Sequence, residues 1–127
     1  ANRTTIMHHL PHDEAIAYVK GADIAVVPRP DSPITHYAFA SKLPEYLSTG
    51  TSVIATDVGD AALLLQNERS GWLIKPSADA LQEALRDALA SQGRREAYAS
   101  AAQQKMQLSH DWRTLAVDLL CFLQARL

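Results

Sequence analysis

The sequence predicts an α/β fold in which helices cover both faces of a parallel sheet. Three observations carry this. Short apolar runs at 4–7, 22–27, 52–55 and 71–74 alternate with helical patterns over residues 1–76. The runs at 22–27 and 52–55 are nearly continuous in apolar residues, as in strands buried on both faces of a parallel sheet. Residues 77–127 carry no strand pattern and read as helices alone.

The elements follow in order. Residues 4–7 read as a brief strand. Pro11 pre-sets a first helical turn, with Asp13 and Glu14 at its positive dipole end. This helix continues through Ile16 and Val19 and stops at Gly21. The strand at 22–27 is ended by Pro28, and a loop holding Pro30, Asp31 and Pro33 follows. That loop, residues 28–40, exceeds most strand-to-helix connections. Ser41 is expected to cap a short helix over 42–49, closed by Gly50. A strand at 52–55 leads through Gly59 into a helix around 61–65, and the strand at 71–74 is ended by Pro76.

Ser77 caps the next helix, where Leu81, Leu85 and Leu89 recur every four residues. A second helix over 94–106 aligns Tyr98, Ala102 and Met106. In a third, Trp112, Leu115, Ala116, Leu119, Phe122 and Leu123 share one stripe. All three are expected to pack on the sheet within a single unit, 1–127. Trp72 and Trp112 would be core anchors and Cys121 a buried small hydrophobe.

Composition narrows the function. A formal net charge of −2 gives no basic field for nucleic acid or an anionic membrane. One cysteine excludes an internal disulfide and fits a reducing compartment. No apolar run reaches the roughly 18 residues of a membrane span, and no signal-peptide layout opens the chain. Any membrane contact is therefore expected to be peripheral.

Ligands of open parallel sheets bind beyond the carboxyl ends of the strands, here the loops after Val27, Ala55 and Ile74. The helix after Ser41 would offer unpaired backbone N–H groups and a positive dipole end. Lys42 at that end is mildly disfavoured unless an anion compensates, and a phosphate is the simplest such partner. Glu45 shares a face with Lys42, and its carboxylate has acceptor sites for the two adjacent hydroxyls of a ribose. The same spacing fits a solvated i, i+3 ion pair, the commoner arrangement, so the residues alone leave both readings open.

His36, beside Tyr37, is placed to hydrogen-bond a phosphate or a sugar hydroxyl, or to serve only the loop. His8, His9 and His12 cluster without a cysteine and read as solvent-facing rather than as metal ligands. Arg29 reads as a surface arginine, with a phosphate as the alternative partner. No Asp-x-Asp occurs, so no metal is expected.

The run from Glu45 to Gly59, Glu-Tyr-Leu-Ser-Thr-Gly-Thr-Ser-Val-Ile-Ala-Thr-Asp-Val-Gly, resembles the donor-domain signature of retaining GT-B glycosyltransferases. These form the glycosyl transferases group 1 family. Lys20 to Pro28 resembles the family's "ADVFVLP" strand, Glu68 to Ile74 its "ENGLLV" strand, and Trp112 opens the last helix where the family often has tryptophan. The resemblance spans nearly the whole chain in order. It implies a Rossmann-like fold, the later part of a GT-B C-terminal domain.

It also implies a nucleotide-diphospho-sugar as substrate, a saccharide or lipid acceptor, retention of configuration, a role in polysaccharide biosynthesis and a cytoplasmic setting, at the membrane only as a peripheral protein. Glu45 matches the second glutamate of the family's E-x7-E pattern, which binds ribose. Ser41, Lys42 and the helix start would face the diphosphate. The loop 32–40, with His36 and Tyr37, would wrap the donor sugar, and residues 56–61, including Thr56 and Gly59, would line the same cleft.

The sequence departs from the pattern at several places. Tyr37 stands at the first glutamate, as in a family subset with Ser-Lys-x-x-Glu-Tyr, which Ser41 to Tyr46 fits. Ser52 replaces a customary proline and Asp60 a common glycine. The sequence holds no counterpart of the acceptor domain or of the first half of the donor domain. In the strand order 3-2-1-4-5-6 the strand near Thr5 would be the third, separated from that near Ile24. Exposed strand edges then lead us to expect self-association. The alternative function is a non-catalytic, self-associating degenerate donor module. A sugar-nucleotide epimerase shares the architecture, but no acid/base set for it is present.

Overall fold

A continuous apolar run with two β-branched residues makes β2 (Ser52–Thr56) the centre of the sheet, and all five of its residues are buried. In this computed structural model, which describes residues 3–65 and 69–126, β2 is flanked by β1 (Ile24–Val27) and β3 (Trp72–Ile74). Both pair with it in parallel, in the order β1-β2-β3. Ala25 pairs with Val53, and Ile54 with Trp72.

Successive side chains alternate between the faces, and each face carries its own core. On one, Ala25, Val27, Val53 and Ala55 meet Leu43 and Leu47 of α3 (Lys42–Ser48), Leu64 of α4 (Ala61–Leu64), and Ala102 and Met106 of α6 (Gln92–Ser109). Val19 of α1 (His12–Gly21) packs at its edge. On the other face Ile54 and Trp72 meet Ala84 and Ala88 of α5 (Ala78–Ala90), with Tyr98 of α6 against them. Helices therefore cover both faces, as expected. Trp72 is the anchor of the second core: its ring meets Tyr98 edge-on at 4.8 Å and its Nε1 donates to Asp87 Oδ2 at 2.8 Å.

Gly71 admits β3 to this position. A Cβ there would lie 2.6 Å from a Leu65 methyl and 2.8 Å from the Val53 carbonyl oxygen, so only glycine permits the approach.

Several expectations are corrected. Residues 4–7 form no strand, and Ile6 is exposed. The three-stranded sheet has β1 at its edge, with no described strand beyond it. Gly21 is the last residue of α1 rather than its breaker; Ala22 turns extended and donates to the Val19 carbonyl at 3.1 Å. The long loop contains a helix, α2 (Pro33–Tyr37). Leu89 is exposed, and small Ala84 and Ala88 make the close contact of α5 instead.

The largest correction concerns α7 (Trp112–Gln124), which buries none of its residues. Trp112 is 84% exposed and Cys121 is exposed, so neither joins the core. Both sheet faces are already covered before the chain reaches α7. Among the described residues no helix is long and apolar enough to cross a membrane. Glu68, within the family-like "ENGLLV" stretch, lies outside the described residues.

Candidate functional site

The carboxyl ends of β1 and β2 are tied together by Thr56. Its buried hydroxyl accepts from Arg29 N at 2.9 Å and donates to Arg29 O at 2.8 Å. Arg29 is half-buried rather than a free surface arginine. Its Nη2 donates to Ala38 O at 2.6 Å, pinning the far end of the long loop to the end of β1. Its Nη1 is buried with no hydrogen-bond partner among the described residues.

Within that loop, Ser32 caps α2 and Pro33 occupies its first turn. Ser32 N donates to Thr35 Oγ1 at 3.1 Å while Thr35 N donates to Ser32 Oγ at 3.4 Å. This is a capping box with threonine in the reciprocal position. His36 Nε2 pairs with Asp31 Oδ1 at 2.7 Å, and Tyr37 is 93% exposed. The end of α2 faces the turn after β2. Gly59 adopts a left-handed φ of 65°, and a Cβ there would lie 3.2 Å from Thr35 O and 3.3 Å from His36 O. The structure thus brings Thr56, Gly59, Arg29 and the His36 backbone together.

Lys42 and Glu45 form a second group. Leu43 and Leu47 are fully buried, and they set the orientation of α3. Lys42 Nζ donates to Glu45 Oε2 at 2.8 Å, and His12 Nδ1 lies 3.4 Å from Glu45 Oε1. The Glu45 side chain is 20% exposed and that of Lys42 62%. The Glu45 hydrogen bond, and then its charge, raise the Lys42 ammonium above the usual lysine range. The sequence reads His12 as a solvent-facing histidine outside the site, and its side chain is 69% exposed. The structure makes it the first residue of α1 and brings it to Glu45 across 33 positions of sequence, a distance no local signal reports.

Ser41 does not cap α3. It lies in the helical region, φ −52° and ψ −30°, and makes no side-chain cap bond, whereas a cap requires a non-helical backbone. Two amides expected to be unpaired are already used: Ser41 N donates to Phe39 O at 3.0 Å and Leu43 N to Ala40 O at 2.8 Å. The cationic part of this site is therefore the Lys42 side chain more than the helix start.

A cavity of about 250 Å³ opens where the three strands end, lined by Pro28, Arg29, Pro30, Thr56, Pro76, Ser77, Ala78 and Leu81. Of the residues expected at the site only Thr56 lines it. The α5 start was missed as a lining element, although the loop after Ile74 had been expected at the ligand end of the sheet. Among the described residues no group of three His, Cys, Asp or Glu side chains is placed to hold a metal.

A parallel sheet with helices on both faces and polar groups beyond its strand ends is a doubly wound α/β arrangement. The chain superposes on sucrose-phosphate synthase from Thermosynechococcus elongatus with a TM-score of 0.83 at 25% identity, over 97% of this chain and 30% of that one. The fold is that of the GT-B glycosyltransferases. Glycogen synthase from Mycobacterium tuberculosis, in two strains, is 30% identical over 119 residues, covering 89% of this chain and 26% of the relative. The pattern of the glycosyl transferases group 1 family matches residues 1–105, and the chain belongs to that family. It spans about a quarter of the length of the curated relatives it matches.

Proposed function

We propose that this chain holds the nucleotide-diphospho-sugar donor of a retaining hexosyltransferase, within a longer protein whose other parts bind a saccharide or lipid acceptor. The observation that carries the reading is the Lys42–Glu45 pair at 2.8 Å on a helix whose buried face, Leu43 and Leu47, fixes its orientation. Glu45 would accept from the ribose hydroxyls. Lys42 would turn to the diphosphate and stabilise the charge that develops as it departs. The loop with His36 and Tyr37, closed against Thr56 and Gly59, would enclose the sugar. Ser41 would contribute through its exposed position beside Lys42 rather than as a cap. The reaction proposed needs no metal, and the setting is cytoplasmic, with any membrane contact peripheral.

Calorimetric titration with UDP, GDP and ADP tests this. One nucleotide should bind, and Glu45→Ala should weaken it about tenfold or more, the loss of a charge-assisted hydrogen bond. Equal binding by wild type and variant refutes the assignment of Glu45.

A second reading, a non-catalytic module that pairs with another copy of itself, draws support from the exposed apolar residues Leu115, Leu119, Leu120 and Phe122 of α7. Sedimentation velocity separates the two. A dimer that binds no nucleotide favours the module, and a nucleotide-binding monomer excludes it.

A further inference from the structure

The Glu45 carboxylate is approached from two different elements. Lys42, three residues earlier on α3, lies against Oε2 at 2.8 Å, and His12, in the first turn of α1, lies 3.4 Å from Oε1. We propose that His12 is a positioning residue that fixes the plane of the Glu45 carboxylate for a ribose diol, an inference that rests on the donor-site reading above.

A single contact from Lys42, itself 62% exposed on a flexible stem, leaves the carboxylate free to turn about its last bond. A second approach to the other oxygen, from His12 Nδ1 at 3.4 Å on a separate element and a ring 69% exposed, narrows that freedom. Acceptor capacity also fits. An ionised carboxylate offers about four lone-pair directions, two per oxygen. Once Lys42 has turned to the diphosphate, both oxygens are open to the adjacent 2′ and 3′ hydroxyls, with His12 at ion-pair distance from Oε1.

His12 is also the side chain of its turn with the right chemistry. Asp13 and Glu14, which follow it, are acidic and would repel Glu45, whereas an imidazole N–H is attracted to a carboxylate, and Nδ1 stands at ion-pair distance, 3.4 Å, from Oε1. The turn is held in place from the far end of its helix. Val19 packs on the core, and its carbonyl accepts from Thr51 Oγ1 at 2.8 Å. The helix is therefore moored to the β2 side of the domain while its first turn meets α3.

The test is binding of UDP, GDP and ADP and of their 2′-deoxy counterparts to wild type, His12→Ala and His12→Asn. Far-UV circular dichroism confirms that each variant is folded. Asparagine can place an amide N–H where the ring Nδ1 stands; alanine cannot. His12→Ala should weaken the bound ribonucleotide about threefold to tenfold and the 2′-deoxy form less, so that the preference for ribose shrinks. His12→Asn should restore most of that preference. An unchanged ribose preference in His12→Ala overturns the proposal, even if both forms bind more weakly. Loss of binding in Glu45→Ala with none in His12→Ala leaves the donor site standing without His12. Failure of the wild type to bind any of the three ribonucleotides refutes the donor reading itself, and the role of His12 with it.

Discussion

Helices α5 and α7 are each thirteen residues long, and each starts at a side-chain cap, yet they end in opposite surroundings. In α5, Ser77 Oγ accepts from Ala80 N at 3.2 Å; in α7, an Asp111 oxygen accepts from Arg113 N at 3.1 Å. The less apolar of the two, α5, is the one that packs. Its Ala84 and Ala88 lie against Ile54 and Trp72, small enough for the helix to sit close to the sheet. The more apolar α7 leaves Leu119, Leu120 and Phe122 more than half exposed, while polar Thr114 is half-buried. An apolar stripe records that a helix tolerates or seeks cover. Which surface covers it depends on what earlier elements have left free, and here both sheet faces are occupied.

The sharpest way to break this comparison is to truncate the two tryptophans. Trp72→Ala removes the ring between sheet and α5, its edge-on contact with Tyr98 and the bond to Asp87. It should cost about 3–5 kcal/mol in urea denaturation. A loss below about 1 kcal/mol would mean that the second face is loosely packed. Next in size is the α5 cap: Ser77→Ala should lower stability by about 1 kcal/mol, read from the same denaturation curves. No change would indicate that the sheet contact alone sets the helix start.

On α7 the effect should be smaller still. Trp112→Ala should fall within about 0.5 kcal/mol of wild type, and a penalty near that of Trp72→Ala would show that α7 is covered in solution. The smallest effect is the pH dependence of the site pair. Lys42 titrates above the usual lysine range because Glu45 bonds and attracts its charged form. A raised folded value means that the pair's contribution is complete below the unfolded lysine value, about 10.4, and is lost as pH rises through the folded one. The stability difference between wild type and Lys42→Met should stay constant from neutral to mildly alkaline pH and vanish only in strong alkali. Melting curves that converge before that would assign the effect to another group.

Much of the sheet was legible because its signals are local. Val53, Ile54 and Ala55 announce a doubly buried strand in an unbroken apolar run, and all three are buried. Ser77 caps the helix it was expected to cap. The α2 helix was legible but overlooked, since Ser32-Pro33 is a cap followed by a first-turn proline. At the candidate site, Lys42 and Glu45 could be paired from spacing, because residues three apart on a helix are neighbours. His12 could not be, nor could the clamp of Arg29 and Thr56 across 27 positions.

By itself the sequence determined the alternation of strands and helices from β1 onward, the Ser77 cap, the family resemblance and the Lys42–Glu45 pairing. Each depends on residues within a few positions of one another, where backbone geometry alone sets the distance. Only the tertiary structure decided that residues 4–7 form no strand, that α7 stays outside the core, and that α1 delivers His12 to Glu45. Those outcomes depend on which surfaces remain available once β2 has been covered on both faces. That is a competition among distant segments for the same buried area, and no local pattern records its result.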